Sequence, residues 1–219
     1  MNIFDIIGPV MVGPSSSHTA GVVRIGNVAR RVLGADPKRA LIKFHGSFAS
    51  TYRGHGSDRA VIAGLLGFGT NDGRIRDSLE LAAENGMEYS FETVDIPGAH
   101  PNTLMIEAET SDGAALRLTG VSTGGGNILV TQINGVSVHF DGKFTTLLVD
   151  HRDVPGVISV VANVLTVEGI NIAGMNVSRA RKHGTATMTI MVDGEPDAGV
   201  KLSLESLPYV THVTLISKD

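Results

Sequence analysis

A short stretch near the C-terminus, Thr185–Val192, constrains the fold more than any other part of this sequence. Every second position is apolar, at Ala186, Met188, Ile190 and Val192. The positions between them are Thr187, Thr189 and Met191. Successive side chains of a β-strand point to opposite faces, so this pattern predicts a strand with one buried face. Lys182–His183–Gly184 precedes it and is typical of a hairpin turn.

The residues around this strand extend the pattern into a complete unit. Apolar residues spaced for one helix face occur at Ile158, Val161, Ala162 and Leu165, with Gly169 ending that helix, and again at Val200, Leu204 and Leu207. Further strands are predicted at Thr146–Val149, Ile170–Ser178 and Val210–Ile216. The resulting order, βαββαβ, is that of a ferredoxin-like unit.

The front of the chain follows a different order, with helices first and strands later. A helix opened by Ser17 and closed by Gly34 comes early, and the strand-like runs concentrate after Gly86. This order favours an α+β fold over a parallel doubly wound sheet. A polar turn at Asp141–Gly142–Lys143 separates the two parts, so we predict one domain over residues 1–143 and a second over residues 144–219.

Composition excludes several classes of function. None of the 219 residues is cysteine, which rules out disulfides, thiolate nucleophiles and cysteine-bound metals in this chain. A net charge of −4 leaves no basic surface for nucleic acid. No run of about 20 apolar residues predicts a membrane span. Met1–Gly8 has no basic start typical of a secretory signal, so we expect a cytoplasmic protein.

The first of four polar clusters lies at the predicted start of the front helix. It contains Ser15, Ser16, Ser17, His18 and Thr19. Hydroxyls and free backbone N–H groups at a helix start favour a carboxylate or phosphate ligand. One serine would suffice as a simple N-cap, so the additional polar residues favour ligand binding over capping alone.

The other three clusters are shorter and each has a plain structural alternative. His55 lies between two glycines before a helix that Ser57 or Asp58 could cap, and His100 and Asn102 could belong to a simple turn. Ser122 and Thr123 precede three glycines, which could form a bulge or a nest of amides for an anion. Together the clusters predict a pocket with three histidines and few charges, suited to a small zwitterion.

The strings GPSSSHTAG, GHGSD, HPNT and STGGG, in this order, resemble the β subunit of bacterial iron–sulfur L-serine dehydratases. The C-terminal part resembles an ACT domain. The resemblance implies that ACT domains pair side by side and bind an amino-acid effector near two segments. These segments contain Asp153, Val154, Pro155 and Gly156 at the first strand–helix turn, and Asn171 and Ile172 before the second strand.

The resemblance also implies that two different subunits contribute to the reaction. A separate, cysteine-containing α subunit would carry a [4Fe–4S] cluster, and this chain would bind no metal. His55 and His100 would transfer protons, because the pKa of histidine suits acid–base work near neutrality. The substrate, L-serine, would be held by Ser15, Ser16, Ser17, His18, Thr19, Asn102, Ser122 and Thr123.

Two other functions remain open at this point. One is a stand-alone amino-acid-sensing protein that regulates another enzyme and has no catalytic role. The other is a self-sufficient lyase that uses His55 and His100 without a metal, which is disfavoured because hydroxide is a poor leaving group without a Lewis acid.

Overall fold

The computed structural model describes residues 10–179 and 181–218. The chain divides into two compact units, Met1–Asn134 and Gly135–Asp219. The domain boundary predicted after Lys143 falls within the second unit. Met1–Gly8, for which no secretory signal is predicted, lies outside the described residues. No helix in the described part of the chain is long and apolar enough to cross a membrane.

The first unit contains helices and strands in mixed order. Its α-helices are α1 (Gly21–Leu33), α2 (Ser47–Thr51), α3 (Ser57–Leu65) and α4 (Ser78–Glu84). Its strands are β1 (Arg39–His45), β2 (Glu88–Val94), β3 (Thr103–Glu109), β4 (Ala115–Gly124) and β5 (Asn127–Ile133). A 3₁₀ turn, Gly73–Asp77, leads into α4 and is capped by Asp72.

The strands of the first unit lie side by side in the order β2-β1-β3-β4-β5. Strands β1 and β2 are parallel, and the remaining neighbours are antiparallel. Helix α1 packs on β4, where Gly120 leaves room for Ile25, because a Cβ atom there would lie 2.8 Å from that side chain. The core therefore lies between the sheet and α1.

Helices α1 and α3 touch through glycines. A Cβ atom added to Gly64 would lie 2.2 Å from the Val23 carbonyl oxygen, and one added to Gly26 would lie 2.7 Å from the Val61 carbonyl oxygen. Only glycine permits this approach of two backbones. The contact matters for function because α1 follows the serine-rich cluster and α3 follows the loop that carries His55.

Replacing Gly64 by alanine should therefore lower the free energy of unfolding by about 2–3 kcal/mol, the upper range for overpacking a tight contact. Urea denaturation of the purified chain measures this change. Gly73→Ala is the matched control, because no heavy atom lies within 4 Å of the added Cβ atom. Equal stability of the two variants would contradict the close contact.

The second unit begins with β6 (Val136–Phe140) and continues with the predicted βαββαβ order. This order consists of β7 (Thr145–Arg152), α5 (Val157–Val167), β8 (Ile172–Arg179), β9 (Thr185–Val192), α6 (Ala198–Glu205) and β10 (Val210–Ile216). The strands form a sheet in the order β10-β7-β9-β8, with antiparallel neighbours. The α+β fold class predicted for the chain is confirmed.

Strand β9 has the buried face that its alternation predicts. Met188, Ile190 and Val192 join the core beneath α5 and α6, together with Leu147 and Val161. Thr187 and Thr189, on the opposite face of the strand, are also buried. His183 takes a positive φ of 60° in the hairpin before β9, where the turn was predicted.

Candidate active site

The serine-rich cluster forms a single wide turn of π-helix, Ser16–Ala20, before α1. Ser15 caps this turn, since its Oγ accepts a hydrogen bond of 3.1 Å from the His18 backbone N–H. The prediction that Ser17 opens the helix is therefore wrong. Because the added turn moves the cap back to Ser15, the Ser17 hydroxyl is left to contact a side chain.

His18 is the centre of the site. Its ring is buried, with Nδ1 2.9 Å from the Ser17 Oγ and Nε2 3.1 Å from the Ser47 Oγ. A neutral imidazole has one donor and one acceptor nitrogen, whereas a hydroxyl can act as either. The two serines can therefore satisfy both ring nitrogens in either tautomer of His18.

His55 packs against His18 edge to face. The ring centroids lie 4.8 Å apart with an interplanar angle of 78°, and Phe48 makes a similar contact with His18 at 5.0 Å. The His55 Nδ1 is buried and has no hydrogen-bond partner within the described residues. Such an unsatisfied nitrogen in a cluster of polar groups is a candidate proton acceptor.

Two hydrogen bonds join the serine-rich turn to the His55 loop. The Thr19 hydroxyl donates to the His55 carbonyl at 3.1 Å, and the Ser57 hydroxyl donates to the His18 carbonyl at 2.7 Å. Both Thr19 and Ser57 are buried. The bonds fix the relative position of the two histidines through the backbone, which explains why Thr19 is polar although it is not exposed to solvent.

Ser47 connects His18 to the HPNT loop and was not among the residues predicted from the sequence. Its backbone N–H donates to the Pro101 carbonyl at 2.8 Å. The preceding Gly46 has a φ of 58°, and a Cβ atom there would lie 2.6 Å from the Pro101 carbonyl oxygen. A glycine–serine pair directly after an apolar strand was the signal that could have revealed this contact.

Asn102 and Ser122 lie next to each other. The Ser122 N–H donates to the Asn102 carbonyl at 3.0 Å, and the Asn102 side-chain amide approaches the Ser122 carbonyl at 3.4 Å. The Ser122 Oγ is buried without a partner among the described residues, and it would lie 2.4 Å from a Cβ atom at Gly21. Residues from all four predicted clusters are thus linked by contacts around the start of α1.

His100 and Thr123 are exposed. The His100 Nδ1 accepts a hydrogen bond of 3.1 Å from the Asn102 N–H, and its carbonyl accepts one of 2.6 Å from Thr103. No hydrogen bond or ring contact within the described part of the chain joins His100 to the His18–His55 pair. Its role in proton transfer stays a prediction.

A pocket of about 300 Å³ adjoins the two histidine-bearing segments. Its lining includes Thr19, His55 and the arginines Arg53, Arg59 and Arg76. The sequence predicted a pocket with few charges, whereas three arginines line this one. Arg53 and Arg59 flank the GHGSD string, whereas Arg76 comes from a separate segment, so the sequence did not predict that the three arginines converge.

Burial shifts the protonation of His18. Desolvation lowers the pKa of His18 below its ordinary value of 6.5, and the nearby His55 lowers this pKa further. His18 is therefore neutral near pH 7, the state in which its two serine contacts are complementary.

The lowered pKa of His18 has a consequence for stability. On acidification the unfolded chain binds a proton at His18 before the folded chain does, so the free energy of unfolding falls as pH drops below about 6.5. We expect a larger drop in thermal midpoint between about pH 7.5 and about pH 5.5 in the native sequence than in His18→Gln. Identical drops in differential scanning calorimetry would contradict the buried, neutral His18.

The predicted effector segments of the second unit lie at opposite ends of one sheet. Asp153–Gly156 follows the end of β7, beside the hairpin that begins β9, whereas Asn171 and Ile172 lie where β9 ends at Val192. Helix α5 separates them, a length of about 16 Å at 1.5 Å per residue. One chain therefore does not bring these segments together, and a shared ligand would need a second copy.

Each effector segment also forms hydrogen bonds with neighbouring residues of the same chain. The Asp153 carboxylate accepts hydrogen bonds from the His183 N–H at 2.9 Å and the Arg179 guanidinium at 2.6 Å, which lower the pKa of Asp153. The Asn171 amide donates to the Asp193 carboxylate at 2.7 Å. Val154 and Ile172 pack against the core, while Pro155 and Gly156 are exposed.

The described residues contain no group of three or more histidine, cysteine or acidic side chains that could hold a metal ion. The full sequence also lacks cysteine, the usual ligand of iron–sulfur clusters. The residues of this chain therefore do not fit such a cluster.

Comparisons with known proteins agree with the motifs. A family model described as serine dehydratase beta chain matches residues 2–85, and one described as AHAS small subunit-like ACT domain matches residues 147–212. The chain is 46% identical to a probable L-serine dehydratase, beta chain, of Bacillus subtilis (strain 168) over 216 residues, covering 99% of this chain and 98% of the relative.

Two further relatives differ in length. The L-serine dehydratase, beta chain, of Peptoniphilus asaccharolyticus is 39% identical over 87% of this chain and 86% of its own. L-serine dehydratase 1 of Escherichia coli (strain K12) is 28% identical over 71% of this chain, which is 40% of that longer protein. On this similarity, the chain belongs to the L-serine dehydratase β-chain family and carries an ACT domain at its C-terminal end.

Proposed function

We propose that this chain is the β subunit of an L-serine dehydratase, which converts L-serine to pyruvate and ammonia together with an α subunit. The observation that carries the proposal is the contact between His18 and His55, two histidines bordered by serine hydroxyls at the start of α1. General acid–base chemistry on a small polar substrate requires such neighbouring groups.

The substrate would be held by the serine-rich turn. Ser15, Ser16 and Ser17 are half-buried and precede α1, so their hydroxyls and the N–H groups of the turn can bind the serine carboxylate. Asn102, from the HPNT loop, and Ser122 and Thr123, from the end of β4, would orient the ligand. His18 contacts the Ser17 hydroxyl directly and would fix its direction.

His55 is our first candidate for the base that removes the α-proton. Its unpartnered Nδ1 can accept a proton without breaking an existing hydrogen bond. Loss of the β-hydroxyl as water then gives aminoacrylate, which tautomerises to the imine and is hydrolysed to pyruvate and ammonia. His100 is the second candidate for proton transfer, and its exposed position would place it at the surface that the α subunit covers.

The iron–sulfur cluster is assigned to the α subunit. This cysteine-free chain offers no ligand set for it, which supports a cysteine-containing partner as the carrier. A [4Fe–4S] cluster with an open iron would supply Lewis-acid assistance to the departure of the substrate hydroxyl. The cytoplasmic location stays a prediction of the sequence.

We further propose that the ACT domain regulates the enzyme by self-association. Asp153, Val154, Pro155 and Gly156 of one copy would face Asn171 and Ile172 of another, with an amino-acid effector between them. The separation of these segments within one chain supports a two-copy site. Dimerisation that strengthens with added serine in sedimentation equilibrium would support this proposal, and a monomer at all concentrations would refute it.

The function is tested by co-purifying the chain with its α partner without oxygen and measuring products from L-serine. Pyruvate and ammonia in equal amounts are expected. The alternative, a stand-alone amino-acid sensor, predicts that serine binds without being consumed, so serine binding with no pyruvate would favour that alternative and refute the dehydratase.

A further inference from the structure

The pocket beside His55 is lined by three arginines that the proposed serine reaction does not use. Arg53, Arg59 and Arg76 come from the loop before α3, from its first turn and from the 3₁₀ turn before α4. All three side chains are exposed, and within the described residues none of their guanidinium groups pairs with a carboxylate. Arg53 lies over the Tyr52 ring at 5.4 Å, a contact that leaves its N–H groups available.

Three positive charges around one concave space repel one another, and a bound anion relieves this repulsion. Two carboxylates are adjacent to these arginines along the chain. That of Asp58 is buried and accepts the Arg59 backbone N–H at 2.8 Å, and that of Asp77 is exposed. Neither residue lines the pocket. The described lining therefore contains three arginines and no acidic side chain.

The backbone of the pocket favours the same kind of ligand. Gly54 and Gly56 line it, and Gly56 adopts a φ of 67° at the start of α3, where no side chain caps the helix. The positive end of the helix dipole then borders the pocket, while the N–H groups of Gly56, Ser57 and Arg59 already have acceptors within the chain. His55, whose buried Nδ1 has no partner among the described residues, also lines the pocket.

We propose that this pocket is a second ligand site, which binds a small anion without an ammonium group, such as a phosphate or a dicarboxylate. Guanidinium groups bind phosphate and carboxylate oxygens through paired, charge-assisted hydrogen bonds. An amino acid fits poorly, because its ammonium would be placed among three cations. The site is distinct from the serine-rich turn but shares His55, so an occupied pocket would change the charge next to the proposed base.

The test is isothermal titration of the full chain with inorganic phosphate, with malonate and with L-serine, at constant ionic strength maintained by sodium chloride. Saturable binding of phosphate or malonate is expected, and the tighter of the two identifies the source of the anion. Arg59→Gln and Arg76→Gln should each weaken this binding about tenfold, the effect of losing one charge-assisted contact. Arg152→Gln, at an exposed arginine of β7, is the matched control and should leave affinity unchanged.

Several results would overturn the proposal. These are no saturable binding of either anion, equal weakening in Arg152→Gln, or L-serine displacing the anion as strongly as malonate does. None of them bears on whether the chain assembles with its partner and forms pyruvate, so the second site and the proposed function fail independently.

Discussion

His55→Ala should reduce turnover of the assembled enzyme by about 10²–10⁴, the range for loss of a general acid or base. His55 has a buried ring nitrogen without a partner among the described residues, and its ring contacts that of His18 in the serine-rich turn. Since the serine hydroxyls that bind the carboxylate remain, we expect most of the loss in kcat and little change in KM.

The measurement is steady-state pyruvate formation by the variant assembled with its α subunit. His139→Ala is the control, because His139 is an exposed histidine of β6 outside the site. If His55→Ala turned over serine within about threefold of the native enzyme, too little loss for a general base, His55 would not be the base.

His18→Ala should lower activity by a similar factor of about 10²–10⁴. We expect this loss because His18 positions other groups of the site, whereas His55 would transfer a proton itself. His18 orients the Ser17 and Ser47 hydroxyls and packs between His55 and Phe48. Its removal leaves a cavity and two serines without their partner. We therefore expect KM for serine to rise, kcat to fall, and the free energy of unfolding to decrease by about 2–3 kcal/mol.

A control separates site damage from general destabilisation. His45 is a buried histidine at the end of β1, whose Nδ1 accepts the Ile96 N–H at 3.1 Å. His45→Ala should cost stability and keep the KM of the folded enzyme, as measured by urea denaturation and serine kinetics. A native KM in His18→Ala would show that His18 does not organise the substrate-binding turn.

Local sequence patterns predicted the second unit well. The alternation of Thr185–Val192 and the apolar run Val210–Ile216 coincide with β9 and β10, because each strand has a face that must be buried. The sequence also predicted the turn at His183 and the helix end at Gly169. Both residues have a positive φ, 70° at Gly169, which glycine and turn residues tolerate.

The first unit shows where such patterns fail. The position of the helix cap depends on whether one wide turn precedes α1, and both Ser15 and Ser17 are good caps. Ser47 and the pocket arginines carry no motif, and their roles arise only when distant segments meet. The contact between His18 and His55 depends in turn on Gly26 and Gly64, which the apolar periodicity of α1 and α3 does not mark.

This chain is proposed to carry half of an active site, and a titration of one subunit with the other tests that proposal. A fixed amount of cluster-loaded α subunit is mixed without oxygen with increasing amounts of this chain, and pyruvate formation from L-serine is recorded. We predict no activity from either subunit alone and a rate that rises linearly to a plateau at a fixed ratio. An α subunit that reaches the plateau rate by itself would contradict the proposed sharing of the active site.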